Sequence, residues 1–130
     1  MKNTYVTDWK SFELTQNIIL EMNSECRVIL FCSGAHCPPC KTTKELLNIG
    51  KENDFFQKEF EKLSNKNVIF YCLDVQTQDI PFSAVKAKVK SIPYFFGLKI
   101  KKDKTCEILV EHVGVMNEQK AKEFLKELTK

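Results

Sequence analysis

Residues 28–47 read VILFCSGAHCPPCKTTKELL. They join an unbroken apolar run, which is typical of a buried strand, to a polar segment that is compatible with a helix. Cys37 and Cys40 stand at the junction, separated by Pro38 and Pro39. Proline is tolerated in the first turn of a helix because an N–H group has no helical partner there. The stretch therefore predicts a strand, a loop, and a helix whose first turn carries both cysteines.

Two cysteines in this position indicate a redox-active dithiol. The free N–H groups and the positive dipole end of a helix stabilise a negatively charged sulfur. The thiolate is the reactive form of cysteine, and its pKa falls at such a site. The two-residue spacer lets both sulfurs close a disulfide. We expect Cys37 to be the exposed nucleophile and Cys40 the more buried partner.

The composition indicates one ordinary folded domain over residues 1–130. Hydrophobic residues make up 43% of the chain and charged residues 28%, and the net charge is +3. This charge is too small to indicate nucleic-acid binding. The N-terminus lacks the apolar core of a signal peptide, and no apolar run is long enough to span a membrane. We therefore expect a cytoplasmic protein with no nucleic-acid or membrane partner.

The chain contains six cysteines. It is too long and too rich in apolar residues to need a disulfide scaffold. In a reducing compartment the four cysteines outside the motif are expected to be free. Cys32 and Cys72 lie in apolar strand-like runs and are expected to pack as small core residues. Cys26 and Cys106 are expected nearer the surface.

The rest of the chain alternates helical and strand patterns. Thr7 or Asp8 can cap a first helix. A long helical region follows Cys37 and ends near Ser64, with a break around Gly50. Continuous apolar runs indicate parallel strands covered on both faces. Strands are predicted at residues 27–33, 68–73, 94–100 and 105–113, and further helices at residues 79–88 and after Asn117.

From about Val28 to Leu128 the chain resembles the thioredoxin superfamily. Four features carry the resemblance, in the family's order and with the expected elements between them. They are Cys37-Pro38-Pro39-Cys40-Lys41, Leu73-Asp74-Val75, Val89-Lys90-Ser91-Ile92-Pro93 and Val113-Gly114-Val115. The resemblance implies an α/β thioredoxin fold, with a central mixed sheet of four to five strands flanked by helices.

The resemblance also implies an activity and a set of site residues. It implies a thiol–disulfide oxidoreductase in which Cys37 and Cys40 reduce protein disulfides. A thioredoxin reductase or glutathione would restore the dithiol, with no cofactor on this chain, and we expect a monomer. Pro93 matches the family's cis-proline, and the backbone of Ile92 would pair with substrate. Pro38, Pro39 and Lys41 belong to the matched motif and are expected to modulate the dithiol. His36, next to Cys37, is expected to modulate it as well.

Four positions depart from the family pattern. His36 stands where a tryptophan is usual, and its imidazolium form would stabilise a neighbouring thiolate. Phe31 and Phe70 stand where the family buries an aspartate and a lysine. Replacing both members of a buried ion pair with packed apolar groups is physically coherent, so we expect the two rings to touch across adjacent parallel strands. Glu45 stands where the family has a helix proline.

Two other classes of function stay open on the sequence alone. A thioredoxin-like binding module with weak or vestigial redox activity is favoured by Phe31 and Phe70, because the missing carboxylate normally assists proton movement. A metal protein could use Cys37 and Cys40 with His36 or Cys32. A structural zinc site needs four ligands, and the chain has no second Cys-X-X-Cys motif, which counts against a metal protein.

Overall fold

The apolar runs predicted as strands form the centre of one sheet in the computed structural model, which describes residues 4–22, 25–62 and 68–130. The strands are β1 (Thr4–Val6), β2 (Glu25–Ser33), β3 (Val68–Asp74), β4 (Tyr94–Lys101) and β5 (Cys106–Val113). The helices are α1 (Trp9–Met22), α2 (Pro38–Leu47), α3 (Phe55–Phe60), α4 (Ser83–Lys86) and α5 (Glu118–Leu128).

The five strands lie in the order β1-β3-β2-β4-β5. Strand β3 runs parallel to β1 and β2, whereas β4 is antiparallel to β2 and β5. This mixed sheet confirms the predicted α/β class. Strand β1 is absent from the sequence prediction because three residues are too few to show a periodic pattern.

Each face of the sheet carries its own hydrophobic core. Side chains of α1 and α4 pack on one face, and side chains of α2, α3 and α5 pack on the other. Successive β2 residues alternate between the cores, with Leu30 on the first face and Phe31 on the second. Because both faces are covered, β2 and β3 are apolar throughout rather than alternating.

The long helical region predicted after Cys37 is two helices. Helix α2 ends at Leu47, and α3 begins at Phe55. Asn48 and Gly50 between them have positive φ angles of 52° and 78°, which end α2 in a left-handed turn. The predicted break near Gly50 is therefore confirmed, and the predicted end at Ser64 lies outside the described residues.

The helix predicted over residues 79–88 is much shorter. Helix α4 contains only Ser83–Lys86. A turn in which Gln78 N–H donates to the Asp74 carbonyl occupies the preceding segment. The residue before a proline is disfavoured in helical conformation, so Pro81 delays the start of the helix.

Two cysteines differ from their predicted environments. Cys26, expected near the surface, is completely buried, and Cys72, expected in the core, is only partly buried. Cys26 lies opposite Ile100 of β4 and packs under α1, a contact that its local sequence does not encode. Burial raises the pKa of the Cys26 thiol and of the Cys32 thiol to about 12. Both thiols are therefore protonated and unreactive at neutral pH.

We expect the substitution Asp54→Ala to lower the free energy of unfolding by about 2 kcal/mol. The Asp54 carboxylate is buried and accepts hydrogen bonds from the backbone N–H groups of Gly50, Phe56 and Gln57, at 2.8, 2.9 and 3.2 Å. Urea denaturation would measure the loss. Asp103→Ala is the matched control, since the exposed Asp103 caps only a surface turn through Thr105. Equal losses in the two variants would contradict this assignment.

Candidate active site

The dithiol lies at the first turn of α2. Cys37 is the N-cap residue, and Pro38 and Pro39 occupy the first two helical positions. Cys37 and Cys40 are joined by a disulfide, with their Cα atoms 5.2 Å apart. The Cys40 N–H lies 3.2 Å from Cys37 Sγ and donates to it. The helix thus directs an N–H group that has no partner within the helix at the sulfur of Cys37. A thiolate would form at this sulfur after reduction.

The two cysteines differ in exposure less than the sequence suggested. Cys40 is fully buried, and Cys37 is only 8% exposed, so the expectation of an exposed Cys37 is wrong for this disulfide form. The segment before Pro93 provides part of the cover, because the Ile92 carbonyl oxygen lies 3.8 Å from Cys37 Sγ. The resemblance implied that Ile92 and Pro93 contact substrate at the dithiol, and this distance places their segment beside Cys37.

Three separate segments meet around the dithiol. The Ile92–Pro93 peptide bond is cis. The Pro93 carbonyl accepts a 2.9 Å hydrogen bond from the N–H of Gly114, which has a φ angle of 92°. A residue with a Cβ would be strained in that conformation. The start of α2, the Ile92–Pro93 segment and the Gly114 turn therefore form one site at the end of the sheet.

The remaining sequence-predicted residues lie on the rim of the site. His36, Pro38, Pro39 and Lys41 are all exposed. The backbone of His36 is held from another loop: its N–H donates to Gln76 Oε1 at 3.0 Å, and its carbonyl accepts from Gln76 Nε2 at 3.4 Å. One amide side chain therefore binds both backbone groups of the residue that precedes Cys37.

Sequence reasoning missed Gln76 and Gly34. A Cβ atom on Gly34 would lie 2.6 Å from Gln76 Cδ and 2.9 Å from Ile92 Cδ1. Glycine at this position lets the loop after β3 and the Ile92 segment both pack against the active-site loop. The glycine between a strand and the cysteine motif was a signal for close backbone approach, but it did not reveal which side chains approach.

We expect Gln76→Met to shift the pH midpoint of Cys37 alkylation to higher pH in the reduced protein. Methionine preserves the length of the side chain but loses both hydrogen bonds to His36, which together contribute roughly 1 kcal/mol near the surface. The N-cap conformation of Cys37 would then be held less well beneath the Cys40 N–H. The measurement is the rate of iodoacetamide labelling as a function of pH. Gln78→Met is the control, and equal midpoints in both variants would refute a positioning role for Gln76.

The interior near the site is aromatic at the two positions where the sequence resemblance led us to compare with a buried aspartate and lysine. Phe31 and Phe70 are buried on adjacent parallel strands, with ring centroids 6.3 Å apart in an edge-to-face arrangement. They are not directly opposite, because Phe31 pairs with Cys72 in register and Phe70 pairs with Ile29. They touch diagonally across the sheet. Phe95 of β4 lies closer to Phe31 than Phe70 does, and the rings of Phe31 and Phe95 stack with their centroids 4.3 Å apart.

His112 lies on β5, two residues before the Gly114 turn. Its Nε2 is 3.0 Å from the Val115 carbonyl oxygen, and its ring packs edge-on against Phe95.

Within residues 4–22, 25–62 and 68–130, no three His, Cys, Asp or Glu side chains are grouped as a metal site would require. No helix in the described part of the chain is both long and apolar enough to cross a membrane.

No protein-family model matches the chain, and no curated protein sequence matches it. Solved structures do match. The thioredoxin of Trichomonas vaginalis is 22% identical with a TM-score of 0.55, and the match covers 95% of this chain and 96% of that one. The thioredoxin pre-protein of Schistosoma mansoni is 22% identical with a TM-score of 0.57, covering 98% and 99%. A Thermus thermophilus thioredoxin is 20% identical with a TM-score of 0.60, covering 99% and 86%.

These likenesses extend over nearly the whole chain, including its five-stranded mixed sheet and the helices that flank it. The pair of cysteines at the start of α2 forms a disulfide, as a Cys-X-X-Cys redox motif requires. This chain has the thioredoxin fold.

Proposed function

We propose that this chain is a thiol–disulfide oxidoreductase that reduces protein disulfides through Cys37 and Cys40. The observation that carries the proposal is the disulfide at the first turn of α2, with the Cys40 N–H directed at Cys37 Sγ. A helix N-terminus favours the thiolate, which is the nucleophile in disulfide exchange. Complete burial makes Cys40 the less accessible sulfur, so Cys37 takes the role of attacking thiolate.

The proposed reaction consists of two exchanges. The Cys37 thiolate attacks one sulfur of a substrate disulfide, forms a mixed disulfide and releases the other substrate sulfur as a thiolate. The Cys40 thiol loses its proton and attacks Cys37 Sγ, which releases the second substrate thiolate and forms the Cys37–Cys40 disulfide. The substrate gains two electrons, and the dithiol loses two. A thioredoxin reductase or glutathione then supplies two electrons to restore the dithiol.

The Ile92–Pro93 segment is the proposed contact for substrate. The Ile92 carbonyl lies within 3.8 Å of Cys37 Sγ, where an extended substrate chain would pass. Pairing of that chain with the Ile92 backbone would add a short strand and hold the disulfide over Cys37. His36, Pro38, Pro39 and Lys41 border this position, and an imidazolium at His36 would favour the thiolate.

We also propose that the protein acts as a monomer in a reducing compartment. Four cysteines are free, and the buried Cys26 and Cys32 are kept unreactive by raised pKa values. Free thiols persist in the cytosol because cellular reductants maintain them. We therefore propose a cytoplasmic location, protein disulfides as substrates, and no cofactor on this chain.

One observation favours a second candidate, a binding module with vestigial redox activity. The position of the family's buried carboxylate is occupied by Phe31, which is stacked on Phe95 and fully buried. No carboxylate at that position can accept the proton from Cys40. A slow second exchange would leave the protein bound to its partner rather than turning over.

Reduction of insulin separates the two candidates. The protein is added in catalytic amount to insulin and dithiothreitol, and precipitation of the freed insulin chain is followed by turbidity. An oxidoreductase shortens the lag in proportion to its concentration, whereas a binding module does not change it. Alkylation of the reduced protein at mildly acidic pH, followed by mass spectrometry, identifies the reactive sulfur. Labelling of Cys40 before Cys37 would overturn the assigned roles.

A further inference from the structure

A cavity of about 530 Å³ lies beside the N-terminus of α1, and no step of the proposed reaction uses it. This volume is within the usual range of small-ligand sites. Its lining combines aromatic and polar side chains from α1, β3 and the loop after β3. The lining residues are Trp9, Tyr71, Gln78, Asp79 and Pro81.

Trp9 presents a braced aromatic ring. The ring packs at 5.4 Å from Phe12 and at 6.4 Å from Phe82, while 41% of the residue stays exposed. An indole held by two other rings loses little side-chain freedom when a ligand stacks on its open face. The face of tryptophan is also the best aromatic partner for a cation.

Tyr71 contributes an unused polar group. Its side chain is 99% buried and stacks on Phe12 with centroids 5.0 Å apart. The phenol makes no hydrogen bond with any residue that the structure describes. Tyr71 nevertheless lines the cavity. A buried tyrosine usually finds a partner for its hydroxyl, and the cavity is where a ligand would supply one.

Two carboxylates lie at or near the cavity, Asp79 in its lining and Asp8 beside Trp9, and each has a lysine nearby. The Asp79 carboxylate is almost fully exposed, and its ion pair with Lys86 has an N···O distance of 4.0 Å, the limit of such contacts. Hydrogen bonds from Ser11 lower the pKa of Asp8, whose negative charge adds to burial in raising the pKa of Tyr71. Lys10 lies near Asp8 and partly offsets this charge. A cation that contacts both Asp79 and the Tyr71 oxygen would be favoured over a neutral group.

We propose that this cavity binds the guanidinium group of an arginine side chain presented by a polypeptide. A planar guanidinium can stack on the Trp9 ring while its N–H groups donate to the Asp79 carboxylate and the Tyr71 oxygen. The Gln78 amide oxygen is a third acceptor. An ammonium group offers fewer donors and does not stack, so lysine fits less well.

The cavity and the dithiol share one loop. Gln76 binds the backbone of His36, and Gln78 and Asp79 of the same loop line the cavity. An arginine close to a disulfide in a protein substrate could therefore contact the cavity while the disulfide contacts Cys37. That extension to substrates rests on the proposed function, whereas arginine binding itself requires neither cysteine.

Titration with N-acetyl-arginine amide tests the proposal. Trp9 is the only tryptophan of the chain, so its fluorescence and its indole N–H resonance report directly on the cavity. We expect a saturable change in at least one of them. N-acetyl-citrulline amide, which is neutral and has the same shape, should bind about fivefold more weakly or worse. Free L-arginine should bind no more tightly than the capped form.

Variants locate the binding. Asp79→Asn and Tyr71→Phe should each weaken arginine amide binding several-fold, because they remove one acceptor and preserve the shape of the side chain. Asp103→Asn, at a distant surface turn, is the matched control. Cys37→Ser should bind arginine amide normally, so failure of the proposed reaction would leave this result unchanged. Equal binding of the citrulline compound, tighter binding of free arginine, or no saturable change in either signal would overturn the proposal.

Discussion

The substitution Cys37→Ser is expected to abolish disulfide reduction, whereas Cys40→Ser is expected to trap a covalent complex with substrate. Serine at position 37 removes the nucleophile that the first turn of α2 activates, and no other accessible thiolate replaces it. Serine at position 40 leaves the first exchange intact but removes the sulfur that resolves the mixed disulfide. The two variants therefore fail at different steps.

Non-reducing electrophoresis and insulin turbidity distinguish these outcomes. With an oxidised substrate protein, Cys40→Ser should give a band at the summed mass that dithiothreitol removes, and Cys37→Ser should give none. Cys106→Ser is the matched control, since Cys106 is a free, half-buried cysteine on β5 far along the sheet from α2. It should keep the parent turnover. Trapping by Cys37→Ser in place of Cys40→Ser would show that the roles are reversed.

The second large effect is a loss of stability on substitution of Phe31, which lies among buried aromatic rings. Phe31→Asp should lower the free energy of unfolding at neutral pH by about 3–5 kcal/mol or more, because it leaves a cavity and adds a buried carboxyl group without a cation. The ring that is lost stacks on Phe95 at 4.3 Å and touches Phe70 edge-on. Aromatic contacts of this kind add about 0.5–1.5 kcal/mol to burial.

The loss should depend on pH in a defined direction. Burial would raise the pKa of an aspartate at position 31 in the folded state above its unfolded value of about 3.9. Below that value both states are protonated, and only the cavity and the neutral polar group cost stability. As the pH rises above it, the unfolded state ionises first, and the variant loses further stability until the folded pKa is passed. Denaturant unfolding at pH 3.5 and pH 7 measures the difference.

Two companion variants separate the causes. Phe31→Leu keeps most of the apolar volume and should lose less than half as much stability, with no added pH dependence. The double variant Phe31→Asp with Phe70→Lys should regain part of the stability that Phe31→Asp loses. A long lysine side chain at position 70 can reach diagonally across the two strands to the carboxylate at position 31. The recovery is limited, since Phe70 also packs against Tyr5 and Phe56. If Phe31→Asp had the same free energy of unfolding as the parent protein at both pH values, position 31 would be accessible to water and this prediction would be wrong.

The sequence was sufficient to predict the elements around the dithiol. An apolar run followed by Cys-Pro-Pro-Cys encodes a buried strand and a helix start, because local periodicity and proline geometry act within a few residues. The same reasoning placed β3, β4, β5 and α5 within one or two residues. It failed for β1, which is too short to show a pattern, and for the start of α4, where Pro81 delays the helix.

By itself, then, the sequence determined the α/β class, the position of the dithiol at a helix N-terminus, and apolar side chains at positions 31 and 70. Only the tertiary structure decided which distant side chains meet there. Gln76 reaches His36 across 40 residues, and Phe95 rather than Phe70 stacks on Phe31. The physical reason is that strand register and loop packing set such contacts, and neither leaves a periodic signal in the segments that it joins.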